Sequence, residues 1–282
     1  MLHHTPMPQS QYDGPSEIRL SNETDQLSSQ SRARAQLLAV LRRVRPERAA
    51  GGYSRDDGTV QFFMRVNALL SSEATLLDFG AGRGRQFDMP NPGFPEELQK
   101  FQGKVARVIG TDVYDGVLHH PYLDERHVTR PGQPLPLPDA SVDIVVADWV
   151  FEHLKDPKQF VSEMERIVRP GGWICARTVN KWGYVGVGAR LLPNAMHRSV
   201  VRKLIPVAKV EDVFPTYYRL NTPRDIRRWF TPRTWENYAY LTNTTPRYFG
   251  NSRLLFRLAD LYHRVVPTVF STDLFVFIRR RL

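Results

Sequence analysis

The chain has a single cysteine, Cys175, in 282 residues. One thiol closes no internal disulfide and supplies no cysteine-based zinc site, so a disulfide scaffold is excluded. Long apolar runs are missing too. None approaches the roughly 18–20 residues that a membrane span needs, which excludes an integral helical membrane protein. The first residues, Met1-Leu2-His3-His4-Thr5-Pro6, lack the apolar core of a signal peptide, and the expected compartment is the cytoplasm. No internal repeat or low-complexity tract is visible, and no metal-ligand set is expected.

What is present is globular: 41% hydrophobic and 24% charged residues, at a length suited to one large core with appendages. The charge is uneven. From Asn180 to Leu282 there are 18 Lys and Arg against 6 Asp and Glu, whereas the preceding residues hold 21 against 23. The excess positive charge therefore lies in the C-terminal third, where it favours anionic partners or forms a solvated basic face.

Residues 1–31, rich in Ser, Gln, Pro and Asn, read as a mobile tail. Two helices are expected within 32–72, over Ala33–Val44 and about Thr59–Leu70. From Thr75 the pattern becomes short apolar runs alternating with helices. Strands are predicted at Thr75–Phe79, Val105–Asp112, Val142–Ala147 and Trp173–Arg177, with a last one at 273–278. Asp156 and Pro157 start a well-marked helix bearing Phe160, Val161, Met164, Ile167 and Val168, and Pro170-Gly171-Gly172 ends it. Strands apolar on both faces imply an α/β fold, a doubly wound and mostly parallel sheet with helices on both sides.

The most informative stretch is Leu76-Leu77-Asp78-Phe79-Gly80-Ala81-Gly82-Arg83-Gly84. Glycines directly after a first strand let a nucleoside cofactor lie against the backbone, in the crevice at the carboxyl ends of the strands. Asp112, ending the second strand, can accept hydrogen bonds from ribose hydroxyls. The spacing fails the dinucleotide fingerprint at its third glycine, which disfavours a nicotinamide oxidoreductase. Asp78 suits a cationic ligand end better than a pyrophosphate.

These residues resemble motif I of the class I S-adenosylmethionine-dependent methyltransferases. Gly110-Thr111-Asp112-Val113, Leu135–Asp143, Trp149–Leu154 and Arg169-Pro170-Gly171-Gly172 follow in that family's order, and the resemblance is to its methyltransferase-11-type subgroup. It implies a Rossmann-like sheet of seven strands with an antiparallel last strand, a methyltransferase domain over 73–282 and a cofactor-binding core over 74–178. It implies S-adenosyl-L-methionine as cofactor, with Asp78, Gly80, Ala81, Gly82, Gly84, Asp112, Val113, Gln133, Asp148 and Trp149 around it. Two features depart from the family. Asp112 follows Gly84 by 28 residues, where about 20 are usual, and Pro90, Pro92 and Pro95 interrupt the interval. Pro131 stands where an Asp is frequent, leaving adenine recognition to backbone groups or Gln133.

Several residues carry two readings. His153 and Asp148 are the candidates for catalysis, but a helix-start histidine bonded locally is the weightier reading of the first, and a capping aspartate explains the second equally. Cys175 reads as a small buried hydrophobe rather than a nucleophile. Tyr53 and Arg55 either fold over the cofactor or are turn residues. Residues 180–270 are the expected substrate side, with Trp182, Tyr184, Tyr217, Tyr218 and Arg219 as candidate acceptor contacts. Ser252 caps a helix bearing Leu254, Leu255, Leu258, Leu261, Tyr262, Val265 and Val266, expected to cover the sheet; a membrane-surface helix is the alternative.

The expected function is methyl transfer to a small-molecule or glycan-type, anionic acceptor, presented at the inner membrane face by peripheral contact of the protein with an anionic membrane surface. Two alternatives are an RNA methyltransferase using the basic C-terminal third and a non-catalytic S-adenosylmethionine-binding protein. Asp148-Trp149-Val150-Phe151 is unlike the motif of amino-directed base methylases, and no RNA-binding module is recognisable.

Overall fold

Strands that are apolar on both faces can be buried only as the middle of three layers. The computed structural model has that architecture; it describes residues 32, 35–88, 93–191, 214–247, 249 and 252–282. The sheet comprises β1 (Thr75–Phe79), β2 (Arg107–Asp112), β3 (Glu125–Val128), β4 (Val142–Asp148), β5 (Val168–Val179), β6 (Trp235–Asn237), β7 (Tyr240–Thr242) and β8 (Asp273–Arg280). Its order is β3-β2-β1-β4-β5-β8-β6, with β7 also paired to β8. β1 to β5 run parallel, β8 is antiparallel to β5, and β6 and β7 are antiparallel to β8. Among the described residues there are thus eight strands, one more than expected. β6 and β7 are three residues long each, too short to show alternation, and β8 sets their register.

The helices are α1 (35–44), α2 (Gly58–Ala68), α3 (Phe94–Gln99), α4 (Pro157–Ile167), α5 (Tyr184–Leu191), α6 (Pro223–Trp229) and α7 (Arg253–Val265). Two of them show why the sheet is covered on both sides. Leu76 and Leu77 point to opposite faces of β1. Leu76 packs with Phe62, Phe63 and Val66 of α2, and Leu77 with Phe160, Val161, Met164 and Ile167 of α4. The expected cap of α4 is present, Asp156 accepting from the Gln159 amide at 3.1 Å. Asp57 caps α2 in the same way, taking the Thr59 and Val60 amides at 3.0 and 3.2 Å.

Pro170-Gly171-Gly172 does not serve as the helix stop. α4 ends at Ile167, and these residues form an irregularity inside β5, where the register shifts between the Val142 and Ile144 pairings. A Cβ on Gly172 would meet the Asp143 and Arg169 carbonyl oxygens at 2.9 Å, so the bend closes only over glycine. Among the described residues after β1 there is no full crossover helix. A single 3₁₀ turn, Arg85–Phe87, precedes the six-residue α3, as the proline interruption led one to expect; Pro90 and Pro92 lie outside the described residues.

α7 departs from its expected place over the sheet. Only Phe256 is buried, against Leu41 and Phe249. Phe62 of α2 and Tyr240 of β7 already stack on Phe275 and Phe277, which occupies that face of β8. The tail over 1–31 and residues 210–213 lie outside the described residues. No helix among the described residues is long and apolar enough to cross a membrane.

Candidate functional site

β1 bonds to β2 on one side and β4 on the other, so the chain leaves β1 in both directions and a crevice opens at the carboxyl ends. Three strands deliver acids there: Asp78 in β1, Asp112 at the end of β2 and Asp148 at the end of β4.

The glycine turn wraps this point. The Gly80 and Ala81 amides donate to the Thr111 carbonyl at 2.7 and 3.1 Å, tying the turn to β2. Gly80 has φ +79°, and a Cβ there would fall 2.5 Å from Val150, so only glycine fits. Gly82 differs. Its φ is +59°, yet a Cβ would meet nothing within 4 Å. The space over Gly82 is open, as a ligand lying on the backbone requires. The Gly84 position is closed off by His120 and Pro121.

Asp112 is aimed by the backbone. Its Oδ2 accepts the Gly82 amide and its Oδ1 the Tyr114 amide, each at 2.8 Å. A carboxylate offers about four acceptor directions, so roughly two remain for a pair of hydroxyls. Val113 beside it is exposed. Asp78 has no cation paired with it among the described residues: burial, then the charges of Asp148 and Asp112, push its carboxyl up to about 7. A cationic group placed in this crevice would relieve that cost.

Asp148 is held by Arg177, whose Nε and Nη2 donate to its two oxygens at 2.7 Å each. The two residues are register partners on β4 and β5. Arg177 Nη1 donates to Thr59 Oγ1 of α2 at 3.1 Å, fixing the fork on both sides. Trp149 follows in a left-handed conformation, φ +58°. Its amide donates to the Arg177 carbonyl at 2.8 Å, and the guanidinium groups of Arg177 and Arg247 both lie over its ring, 4.9 and 4.1 Å from the centroid. Asp148 is therefore an ion-pair member at the rim as well as the end of a strand.

The loop after β4 anchors the candidate acceptor side. The Glu152 carbonyl accepts the Tyr217 and Tyr218 amides at 2.7 and 3.3 Å, and Arg219 Nη1 donates to the Lys155 carbonyl at 2.6 Å. The Glu152 carboxyl is buried, and burial pushes its pKa up while the His153 charge opposes the shift. Its Oε2 accepts from Thr178 Oγ1, which accepts from Asn221 Nδ2, both at 2.7 Å. His153 Nδ1 sits 2.8 Å from the Pro215 carbonyl, which can only accept. Nδ1 thus carries a proton, and in the uncharged form of the ring the lone pair is on Nε2.

Other expected residues fall elsewhere. Gln133 is exposed, in the irregular stretch between β3 and β4. Tyr184 packs on Tyr262 and His263 of α7, and Trp182 stacks with Lys181 and Arg190, so neither joins Tyr217–Arg219. Arg55 points outward beside Glu47, and Tyr53 rests on Phe94. Cys175 is buried in mid-strand, where burial pushes its thiol up and leaves it unreactive. Arg177, Arg247 and Glu152 were not foreseen. Arg177 carried a signal: an arginine ending an otherwise apolar strand beside one ending in an acid calls for that acid as its partner.

Residues 77–176 match the family described as methyltransferase domain. A protein of Mycolicibacterium smegmatis named as a probable S-adenosylmethionine-dependent methyltransferase is 48% identical over 80 residues, 27% of this chain and 30% of that one. A Mycobacterium tuberculosis protein of the same description is 51% identical over 47 residues, 17% of each chain. The human thiol S-methyltransferase TMT1B is 29% identical over 126 residues, 40% of this chain and 46% of its own length. The chain spans less than half the length of each of these relatives.

Proposed function

We propose that this chain, in which residues 77–176 form a class I methyltransferase domain of the methyltransferase-11 type, transfers a methyl group from S-adenosylmethionine to a small-molecule or glycan-type anionic acceptor. The observation that carries the reading is the crevice itself: open space over Gly82, flanked by Asp112 with acceptor capacity to spare and by Asp78 without a cation. Those residues fit the cofactor's chemistry. Asp112 would hold the ribose hydroxyls, the Gly80–Gly82 backbone would underlie the methionine part, and Asp78 would face its positive end.

The cofactor supplies a methyl group on a sulfonium, which already has a good leaving group. The protein's work is then alignment and exclusion of water, with a base needed only for a poor nucleophile. The Arg177 fork holds Asp148 and, through Trp149, the rim. The Tyr217–Arg219 segment, tied to the Glu152 and Lys155 carbonyls, is our candidate acceptor wall. His153 Nε2 is the atom able to take an acceptor proton, because Nδ1 is committed to Pro215.

The C-terminal third favours an anion by its arginines, 15 against 3 lysines from Asn180 onward, since guanidinium forks bind phosphate and carboxylate geometrically. A small acceptor agrees with the thiol that names one relative. Presentation at the inner face of an anionic membrane is part of the same reading. Calorimetry with S-adenosylhomocysteine, followed by an acceptor screen with methyl-labelled cofactor, tests it. No binding of S-adenosylhomocysteine would overturn the reading, and labelling of RNA alone would replace the acceptor class.

A further inference from the structure

We infer that α7 is a membrane-docking helix that seats the protein on an anionic phospholipid surface. Leu254, Leu258, Leu261 and Val265 recur at helical spacing and are 67, 54, 56 and 70% exposed, so they form one apolar stripe. The stripe lies opposite the single buried anchor, Phe256, and so faces straight into solvent. Leu255 at 45% and, just beyond the helix, Val269 and Phe270 at 50 and 45% widen it. The Tyr262 hydroxyl, which donates to the Phe270 carbonyl at 3.0 Å, links that turn to the helix.

Charge identifies the occupant. Arg253, Arg257 and Arg264 line one edge of the stripe, all exposed. The helix has one acid, Asp260, which is turned inward and paired with Arg45 and Arg264. An apolar stripe bordered by arginines and free of exposed acid is suited to the plane of a bilayer. Leucines enter the acyl boundary while guanidinium groups reach lipid phosphates. A second copy fits less well, because antiparallel stripes brought face to face would set arginine edge against arginine edge.

This surface would supply the attachment that a membrane-presented acceptor needs, and it stands or falls independently of the cofactor reading, which S-adenosylhomocysteine calorimetry addresses separately. The test is flotation of the full chain with vesicles of phosphatidylglycerol and phosphatidylcholine in equal parts, compared with phosphatidylcholine alone. The wild-type chain should float with the mixed vesicles and much less with the neutral ones. Arg253→Gln with Arg257→Gln should weaken that binding roughly thirtyfold. Leu258→Gln with Leu261→Gln should weaken it at least about tenfold, with circular dichroism and S-adenosylhomocysteine affinity unchanged. Absence of wild-type flotation, or flotation of both double variants equal to that of the wild type, overturns the proposal. So does a dimer in sedimentation velocity that Leu258→Gln with Leu261→Gln dissociates, which would make a second copy the occupant. Flotation that appears only after residues 192–213 are deleted would likewise assign the stripe to that segment.

Discussion

Replacing Asp78 with asparagine should make the ligand-free protein more stable and its cofactor site weaker. The folded carboxyl keeps its proton up to about 7, whereas an unfolded one releases it near 3.8. Between those values the folded chain binds more protons than the unfolded chain, so stability falls as pH rises, and above 7 the whole penalty is present. Each pH unit corresponds to about 1.4 kcal/mol, and partial solvent contact reduces the effect, leaving about 2–4 kcal/mol at pH 8. Asparagine keeps the shape and does not titrate. Asp78→Asn should therefore melt roughly 5–10 °C above wild type at pH 8, with the gap closing toward pH 4. Its affinity for S-adenosylmethionine should drop about ten- to a hundredfold, the loss of one charge-assisted contact. In the wild type, cofactor binding near pH 6.5 should release a proton, seen as a dependence of the calorimetric heat on buffer ionisation enthalpy. Melting curves that coincide at both pH values would show that Asp78 bears no unrelieved charge. Unchanged cofactor affinity would show that it faces something else.

The remaining tests address the other parts of the crevice. Asp112→Asn should weaken S-adenosylhomocysteine binding about tenfold, and Asp112→Ala up to about a hundredfold, because alanine also strands the Gly82 and Tyr114 amides; calorimetry reads both. Gly82→Val should abolish binding, since it fills space that is now open and forces a β-branched residue to positive φ. Arg177→Met leaves Asp148 without its partner and should destabilise the fold by about 3–5 kcal/mol in urea titrations. Tyr217→Ala or Arg219→Ala should lower turnover while S-adenosylhomocysteine affinity stays within about threefold. Equal loss of both would make that segment a folding element.

The parts of the fold legible in the sequence are those whose cause is local. β1 is a short run built on Leu76, Leu77 and Phe79 and broken by glycines, and its bounds match those read from the chain, Thr75–Phe79. α4 announces itself through Asp156, Pro157 and a clean apolar stripe. β3 was missed because Glu125-Arg126-His127-Val128 is an edge strand with one bonded neighbour and no core face to require apolar residues. β6 and β7 exist only through β8, a partner more than thirty residues away in sequence. The stripe on α7 was legible but its direction was not: periodicity reveals that a helix has an apolar face, not what lies against it. At the site, Asp112 and the glycines could be placed by spacing. The Arg177 fork and the paired cations over Trp149 depend on the register of β4 against β5 and on the approach of Arg247, which no motif encodes.

β8 has a consequence for how the chain is made. It is the last strand of the sequence, yet it lies inside the sheet, bonded to β5 on one side and to β6 and β7 on the other. About 90 residues separate the end of β5 from its start, which is roughly 5–20 s of synthesis. Throughout that interval β5 presents an unpaired edge flanked by Ile174, Cys175 and Ala176, all destined for the core. A nascent chain in this state offers a template for any passing strand. A stop or a cut just before Asp273 would remove not a tail but the piece that closes the sheet, and the product would be an aggregating fragment rather than a trimmed protein.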